Sequence, residues 1–304
     1  MIQSAMDGIS VIINTFNEEK HLETAIRSVK SFATEIVVVD MHSTDKTVEI
    51  AKKHKTQVYF HKYMGYVEPA RNFAIEKASC EWILILDADE EISPSFASHL
   101  VEISKNPQAQ YYRVPRKNLI FNSWIEHTGW WPEYNIRFFK KGYVSWGDEI
   151  HSVPITQGKG ADLPAEEKYA IIHHNYTSID EYLERMNRYT TIQSDALLSS
   201  GYNFKWTDLM RKPSQEFVRR FFASQGYKDG VHGLALASLQ ATSELVLYLK
   251  VWQATKFEKH AISLSRFNEE IVKNRKEVNY WKADANVVSH GSLVDRIKRK
   301  WKLP

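Results

Sequence analysis

A single cysteine, Cys80, stands among the 304 residues, so no intramolecular disulfide and no multi-cysteine metal site can form, and a reducing, cytoplasmic setting is expected. Lying between Ser79 and Glu81, just ahead of an apolar run, Cys80 reads as a small buried residue rather than a nucleophile. Glycine is sparse, with 12 residues, and neither a Gly-rich dinucleotide loop nor a P-loop occurs. That removes support for NAD chemistry and for ATP hydrolysis. Long apolar runs are missing as well. Ile9–Ile13 is too short for a signal peptide and lacks a basic leader, and no stretch is expected to span a bilayer. There is no internal repeat and no low-complexity tract. The rest is ordinary for a globular chain, at 43% hydrophobic and 25% charged residues with a net charge of +3. The length suits one large α/β domain, alone or with a smaller helical appendage.

The first hundred residues alternate strand and helix patterns. Ile9–Ile13 reads as a strand, followed by Leu22, Ala25, Ile26 and Val29 at helical spacing. Ile36–Val39 forms a second strand ending at Asp40, and Thr44-Asp45 caps a helix running to about His54. Val58–Phe60 makes a third strand, and Pro69 opens a helix that runs to Ala78. This rhythm means βαβ units and a parallel sheet. It breaks after about Asn106, where Tyr111–Pro115, Asn135–Phe139 and a segment near Val144 read as strands of a mixed sheet. From Ile179 the pattern turns helical, with Tyr182, Leu183, Met186, Tyr189 and Ile192 on one face. We therefore divide the chain into an α/β domain over 1–210, with halves of about 1–106 and 107–210, and a helical region over 211–304.

The richest segment is Trp82–Glu91. Five apolar residues read as a buried strand and run into Asp87, Asp89, Glu90 and Glu91. Ligands of open α/β sheets collect beyond such strand ends, and clustered carboxylates repel unless a cation offsets them. A Mg²⁺ or Mn²⁺ ion holding a diphosphate fits, since such ions use one or two carboxylates plus phosphate oxygens. The plainer alternative is an acidic turn before a helix capped by Ser93-Pro94. Two further loops, Asn14–Glu19 and Asp40–Asp45, reach the same sheet edge, each ahead of a helix N-terminus suited to anions. Asp40 suits a nucleoside contact or a simple helix-start role, and Glu18 a ligand contact or a first-turn carboxylate.

These residues together resemble the nucleotide-binding half of glycosyltransferase family 2, which has the GT-A fold. The resemblance rests on Thr15-Phe16-Asn17-Glu18-Glu19, on Asp40 with Ser43-Thr44-Asp45, on Arg71-Asn72, and on Asp87-Ala88-Asp89. Asn14 stands where proline is common, and Met41-His42 replace small residues. Gly129–Phe139 and Glu149-Ile150-His151 look like the bacterial enzymes that build lipopolysaccharide cores and related surface glycans.

The resemblance implies a metal-dependent, inverting transfer of a hexose from a nucleotide sugar, UDP-linked by preference, to a saccharide or lipid-linked acceptor. Thr15, Asn17, Glu18, Asp40, Ser43, Arg71, Asn72, Asp87, Ala88 and Asp89 would bind the donor. Asp89, Asp87 and His151 would hold the metal, and Arg71 would neutralise phosphate. Glu133 is the expected base, its pKa raised by aromatic walls, with Glu149 and Asp148 as substitutes. Trp130, Trp131 and Arg137 would meet the acceptor, or the two tryptophans would simply pack in a core. His173 and His174 face opposite ways if they lie on a strand, so they cannot share a metal.

The long apolar segment Val231–Trp252 suits a membrane surface, near Trp206, Arg211, Lys212, Arg219 and Arg220, or else internal packing or a homodimer interface. Five of the last nine residues, Arg296 to Pro304, are basic. They fit contact with the inner face of the cytoplasmic membrane better than nucleic acid, for which no module is present. Two rival functions stand beside this one: a polyprenyl-phosphate sugar synthase and a non-catalytic nucleotide-sugar-binding protein.

Overall fold

Unbroken runs of branched apolar residues build the centre of the molecule, because strands covered on both faces leave no room for alternation. The computed structural model describes residues 6–63, 68–147, 154–291 and 293–303. In chain order it begins β1 (Met6–Thr15), α1 (Leu22–Val29), β2 (Glu35–Asp40), α2 (Thr47–Lys53), β3 (Gln57–Phe60), α3 (Glu68–Lys77) and β4 (Cys80–Asp87). It continues through β5 (Glu90–Ile92), α4 (Pro94–Lys105), β6 (Tyr111–Ile120), β7 (Ser123–Trp124), β8 (Glu133–Lys140), β9 (Val144–Ser145), β10 (Ile155–Thr156), β11 (Gly160–Asp162) and β12 (Ile171–Tyr176). The helices α5 (Ile179–Ser199), α6 (Asp208–Val218), α7 (Gly230–Ala254), α8 (Leu264–His290) and α9 (Leu293–Trp301) follow.

The chain forms two compact units, residues 1–119 with 132–175, and residues 120–131 with 176–304. The division therefore differs from the one at residue 210 drawn from the sequence.

In the first unit the sheet runs in the order β3-β2-β1-β4-β8-β6-β12-β5. β3, β2, β1 and β4 are parallel, as the strand–helix rhythm predicts, and β8 then runs antiparallel to both β4 and β6. This mixed α/β sheet is the expected GT-A arrangement. One face of β1 and β4 packs Val11, Ile13, Leu84 and Leu86 against Leu22, Ile26 and Val29 of α1 and Phe96 and Leu100 of α4. The other face sets Ile12, Val37, Val39, Ile83 and Ile85 against Ala70, Ala74 and Ala78. Alanines four residues apart let the α3 segment lie close on the sheet, and that closeness brings Arg71 to the strand ends. Cys80 is fully buried and free, as expected.

Several bounds move from their expected places. α2 begins at Thr47 because the Asp45 carboxylate accepts from the Thr47 N–H at 2.9 Å. β6 runs through Pro115 to Ile120, longer than its apolar pattern predicts.

In the second unit α7 packs against α5 and α6. Gln240 donates to the Tyr182 hydroxyl at 2.7 Å, and the Lys250 ammonium donates to the Asn187 carbonyl and the Thr190 hydroxyl. Segment Gly226–Ala254 is long and apolar enough to cross a membrane by length and composition alone, with a mean hydropathy of 1.2. That overturns the expectation that no stretch qualifies. Its buried residues Gly233, Leu236, Ala237, Leu247, Tyr248 and Val251 nevertheless serve the packing of this unit. The basic residues expected to flank it are engaged internally. Arg211 pairs with Glu270 at 2.5 Å, Arg219 and Arg220 pair with Glu216, and Lys212 lies 5.7 Å from the Tyr248 ring centre.

Phe138 of β8 is fully buried and stacks on Trp82 of β4, with ring centroids 4.7 Å apart. Phe138→Ala should destabilise the first unit by about 3–5 kcal/mol, read as a lower denaturation midpoint in urea.

Candidate active site

The strand ends align as the sequence pattern requires. Asn14 of β1 stands beside Asp87 of β4, and Thr15 beside Asp40 of β2. Beyond them the loops after β1 and β2 are stitched together. Asn17, in left-handed backbone at φ 55°, donates its N–H to the Ser43 hydroxyl at 2.8 Å and accepts from the Thr44 N–H at 2.8 Å. The Glu18 N–H donates to the Thr47 hydroxyl at 2.8 Å, and the Lys46 N–H to the Glu19 carboxylate at 3.0 Å. Asp40 is fully buried, and its carboxylate braces the same turn by accepting from the Ser43 N–H and hydroxyl.

Among the described residues, both amide atoms of Asn14, the Thr15 hydroxyl and Nε of Arg137 are buried at this edge without a hydrogen-bond partner. Buried polar groups are normally satisfied, so these atoms mark an edge whose polar partners are missing among the described residues.

The acidic tip of β4 divides into two chemically distinct pairs. Asp87 and Glu90 form the first. Arg137 from β8 is buried and binds Asp87 through both terminal nitrogens, and its Nη2 reaches Glu90 at 3.0 Å. Arg71 adds a contact to Asp87 at 3.4 Å and lies over the Trp146 ring. Burial alone would raise the Asp87 pKa, but the charges of Arg137 and Arg71 outweigh it and hold this carboxyl well below its usual range. Arg137, expected at the acceptor, is thus the counter-charge of the acidic tip. Asn72, expected at the donor, grips the Trp146 backbone, donating to its carbonyl at 2.7 Å and accepting from its N–H at 2.9 Å.

Glu133 joins this network. Arg116 of β6 donates to its two carboxylate oxygens at 2.5 and 3.1 Å, Asn118 donates at 2.8 Å, and Arg116 also reaches Glu90 at 3.3 Å. Burial raises the Glu133 pKa, yet the charge and hydrogen bonds of Arg116, then Asn118 and His173, lower it further, and the net displacement is downward. The expected upward shift is therefore corrected: an arginine shares the pocket, and its charge decides the sign.

The second pair is Asp89 and His173. His173 Nε2 lies 3.4 Å from Asp89 Oδ2, while its Nδ1 meets the Asn118 side-chain oxygen at 2.6 Å. His174 points the other way, to Glu91 at 3.4 Å and the ring of His21, as the pleat requires. Among the described residues no group of three or more His, Cys, Asp and Glu side chains forms a metal site. A carboxylate with an imidazole nonetheless fits a divalent cation whose remaining ligands are phosphate oxygens and water. Asp87, expected in the metal set, is taken up by arginines instead.

Asp148, Glu149 and His151 lie outside the described residues. Ala88 is buried at the tip. Trp130 and Trp131 belong to the second unit. There Trp130 meets Tyr176 edge-on and carries Arg220 over its ring, and Trp131 meets Trp124. Sequence reasoning named Glu90 in the acidic run but gave it no role, missed Arg116 and Asn118, and undervalued His173. For Arg116 and Asn118 one signal existed, namely polar residues two apart on a strand, which share a face.

Residues 10–157 match the family model described as Glycosyl transferase family 2. An uncharacterized glycosyltransferase of Rickettsia conorii is 27% identical over 272 residues, 86% of this chain and 96% of that one. The lipopolysaccharide core biosynthesis glycosyltransferase LpsC of Rhizobium meliloti is 24% identical, over 81% of this chain and 92% of its own length. Among solved structures, glucosyl-3-phosphoglycerate synthase from Mycobacterium tuberculosis matches 35% of this chain at 22% identity, with a TM-score of 0.32. This chain spans 43%, less than half, of that protein's length.

Arg116→Ala leaves Glu90 and Glu133 without their shared cation. Because Glu133 is about a third exposed, the loss near neutral pH should fall at the low end for a broken buried pair, about 3 kcal/mol. The sign with pH follows. In the native protein the depressed Asp87 and Glu133 pKa values give stability that is complete above the unfolded values, about 4, and lost as pH falls through the folded ones. In the variant Glu133 loses the Arg116 charge and hydrogen bonds, while burial still raises its pKa against Asn118 and His173. Its carboxyl is then less depressed and contributes less stability at neutral pH. The gap between the two proteins should be widest above about pH 5 and narrow in acid, as read by urea unfolding at a series of pH values.

Proposed function

We propose that this chain, whose residues 10–157 match the model of glycosyl transferase family 2, moves a hexose from a UDP-sugar to a saccharide or lipid-linked acceptor in the assembly of bacterial lipopolysaccharide or a related surface glycan. The observation that supports a donor site most directly is the unsatisfied polar edge formed by Asn14 and Thr15 beside the acidic tip. The LpsC relative supports the choice of glycan class.

In this reading Asn14, Thr15 and the stitched loop of Asn17, Glu18 and Ser43 receive the nucleoside. Asp40 and Asn72 hold that surface in shape from behind. Arg71 faces the diphosphate and tempers its charge. Asp89 and His173 would hold a Mg²⁺ or Mn²⁺ ion. Such an ion, when bound, supplies the positive charge that stabilises a departing diphosphate. Asp87 and Glu90 fix Arg137 and Arg116, so that the acidic tip is neutralised without consuming Asp89.

Inversion needs a base for the acceptor hydroxyl, on the face of the sugar opposite the leaving group. A carboxylate gripped by Arg116 and Asn118, with a lowered pKa, takes a proton weakly. We therefore assign Glu133 to positioning Arg116 and leave the base to Asp148 or Glu149. The cytoplasm is the compartment in which a nucleotide-sugar donor and a single reduced cysteine fit together.

Asp89→Asn and His173→Ala should each abolish cation-dependent binding of a UDP-sugar, measured by calorimetry with and without Mn²⁺. Glu133→Gln should retain donor binding and lower turnover by about 10–100-fold, whereas a loss beyond about 1,000-fold would return the base role to Glu133. Undiminished transfer by metal-stripped protein would overturn the cation assignment.

A further inference from the structure

Helix α9 is mounted with its polarity reversed. Leu293, Val294, Ile297 and Trp301 fall within about 100° of its circumference at 3.6 residues per turn. An amphipathic helix of a water-soluble unit buries such a stripe. Here all four side chains are exposed, from 59% to 72%. What faces α8 instead is polar: Asp295 accepts from the Asn286 amide at 3.3 Å, and Arg299 pairs with Asp284 at 2.8 Å. Gly291, in left-handed backbone at φ 66°, ends α8 at the turn into α9.

Charge borders the apolar stripe. Arg296 and Lys300 flank one side and Lys298 the other, and Lys300 lies 5.7 Å from the Trp301 ring centre. The single acidic residue of the helix, Asp295, is on the α8 side. An apolar strip carrying a tryptophan and edged by cations matches the boundary of an anionic bilayer, where acyl chains meet negative headgroups. A second copy of this chain would present the same cations to one another, so a symmetric pairing through this face is opposed by charge.

We propose that α9 docks on an anionic membrane surface, its Leu293–Val294–Ile297–Trp301 stripe in the acyl boundary and Arg296, Lys298 and Lys300 among the headgroups. The proposal stands on the second unit alone and does not depend on the reading of the catalytic site. Such docking would hold the enzyme at the surface where lipid-linked acceptors reside, while α8 keeps the helix attached through its polar face.

The test is flotation of the full-length protein with phosphatidylcholine vesicles, with and without phosphatidylglycerol. Binding is expected only to vesicles containing phosphatidylglycerol and should weaken as salt rises. Arg296→Gln with Lys300→Gln should reduce it by about 25-fold, roughly fivefold for each basic residue. Ile297→Ser with Trp301→Ser should abolish it. These side chains are exposed, so thermal unfolding and UDP-sugar binding should stay at native values. Equal binding to neutral vesicles, unchanged binding by both variants, or a dimer that the Ile297→Ser and Trp301→Ser variant converts to monomer in sedimentation would each overturn the proposal, the last by making a second copy the occupant.

Discussion

The charge lattice at the end of β4 is the constraint on which the rest of the first unit depends. Two carboxylates of one short turn, Asp87 and Glu90, are held by arginines from two other strands, Arg137 of β8 and Arg116 of β6. Glu90 has no exposed side-chain surface and Arg137 almost none. Charges removed from water to this degree are tolerated only when paired and hydrogen-bonded. The antiparallel addition of β8 and β6 to the parallel half is therefore an electrostatic requirement as well as a packing one. Without those strands the acidic tip would lose its counter-ions. With them it becomes rigid, and Asp89, which faces His173, is presented in a fixed place.

That separation of roles inside five residues changes what the acidic motif means. Read in one dimension, Asp87 and Asp89 look equivalent. In three dimensions the pleat and the turn send Asp87 to Arg137 and Asp89 to His173. The cationic ring also explains why Glu133 departs from the behaviour its aromatic neighbours suggest. A carboxylate in a partly buried site moves upward only when no compensating charge shares the site. The stitched loops add the matching device on the proposed donor side. Hydrogen bonds between Asn17 and Ser43-Thr44 and between Glu18 and Thr47 order this surface before any ligand arrives, so less conformational entropy is left to lose on binding.

What could be read from the sequence follows the range of the forces involved. The parallel strands, their order of appearance and the convergence of three loops at one edge come from local periodicity, and Ile9–Ile13, Ile36–Val39 and Trp82–Leu86 state it plainly. Asn17, Ser43 and Asp89 are singled out at that edge by the motifs that resemble glycosyltransferase family 2. Partnerships between distant strands do not. Arg116 lies 26 residues from Glu90 and Arg137 lies 50 from Asp87, and nothing in local pattern says which acid each will meet. Asn72 shows the same limit. Its neighbour Arg71 reaches the acidic tip, whereas the Asn72 amide turns to the Trp146 backbone 74 residues away.

The helical unit shows that limit in another form. Periodicity reveals that a helix has an apolar side, but not which way that side is turned. For α7 the answer is inward, through Leu236, Ala237, Leu247 and Val251. For α9 it is outward: Arg299 and Asp295 meet Asp284 and Asn286 of α8, and the apolar stripe stays exposed. Each such bond contributes modestly in water, about 0.5–1.5 kcal/mol. Burying the stripe of Ile297 and Trp301 against α8 would have been worth several times more. A sequence that forgoes burial of that size and rings the exposed stripe with cations carries its apolar face for a surface outside the unit.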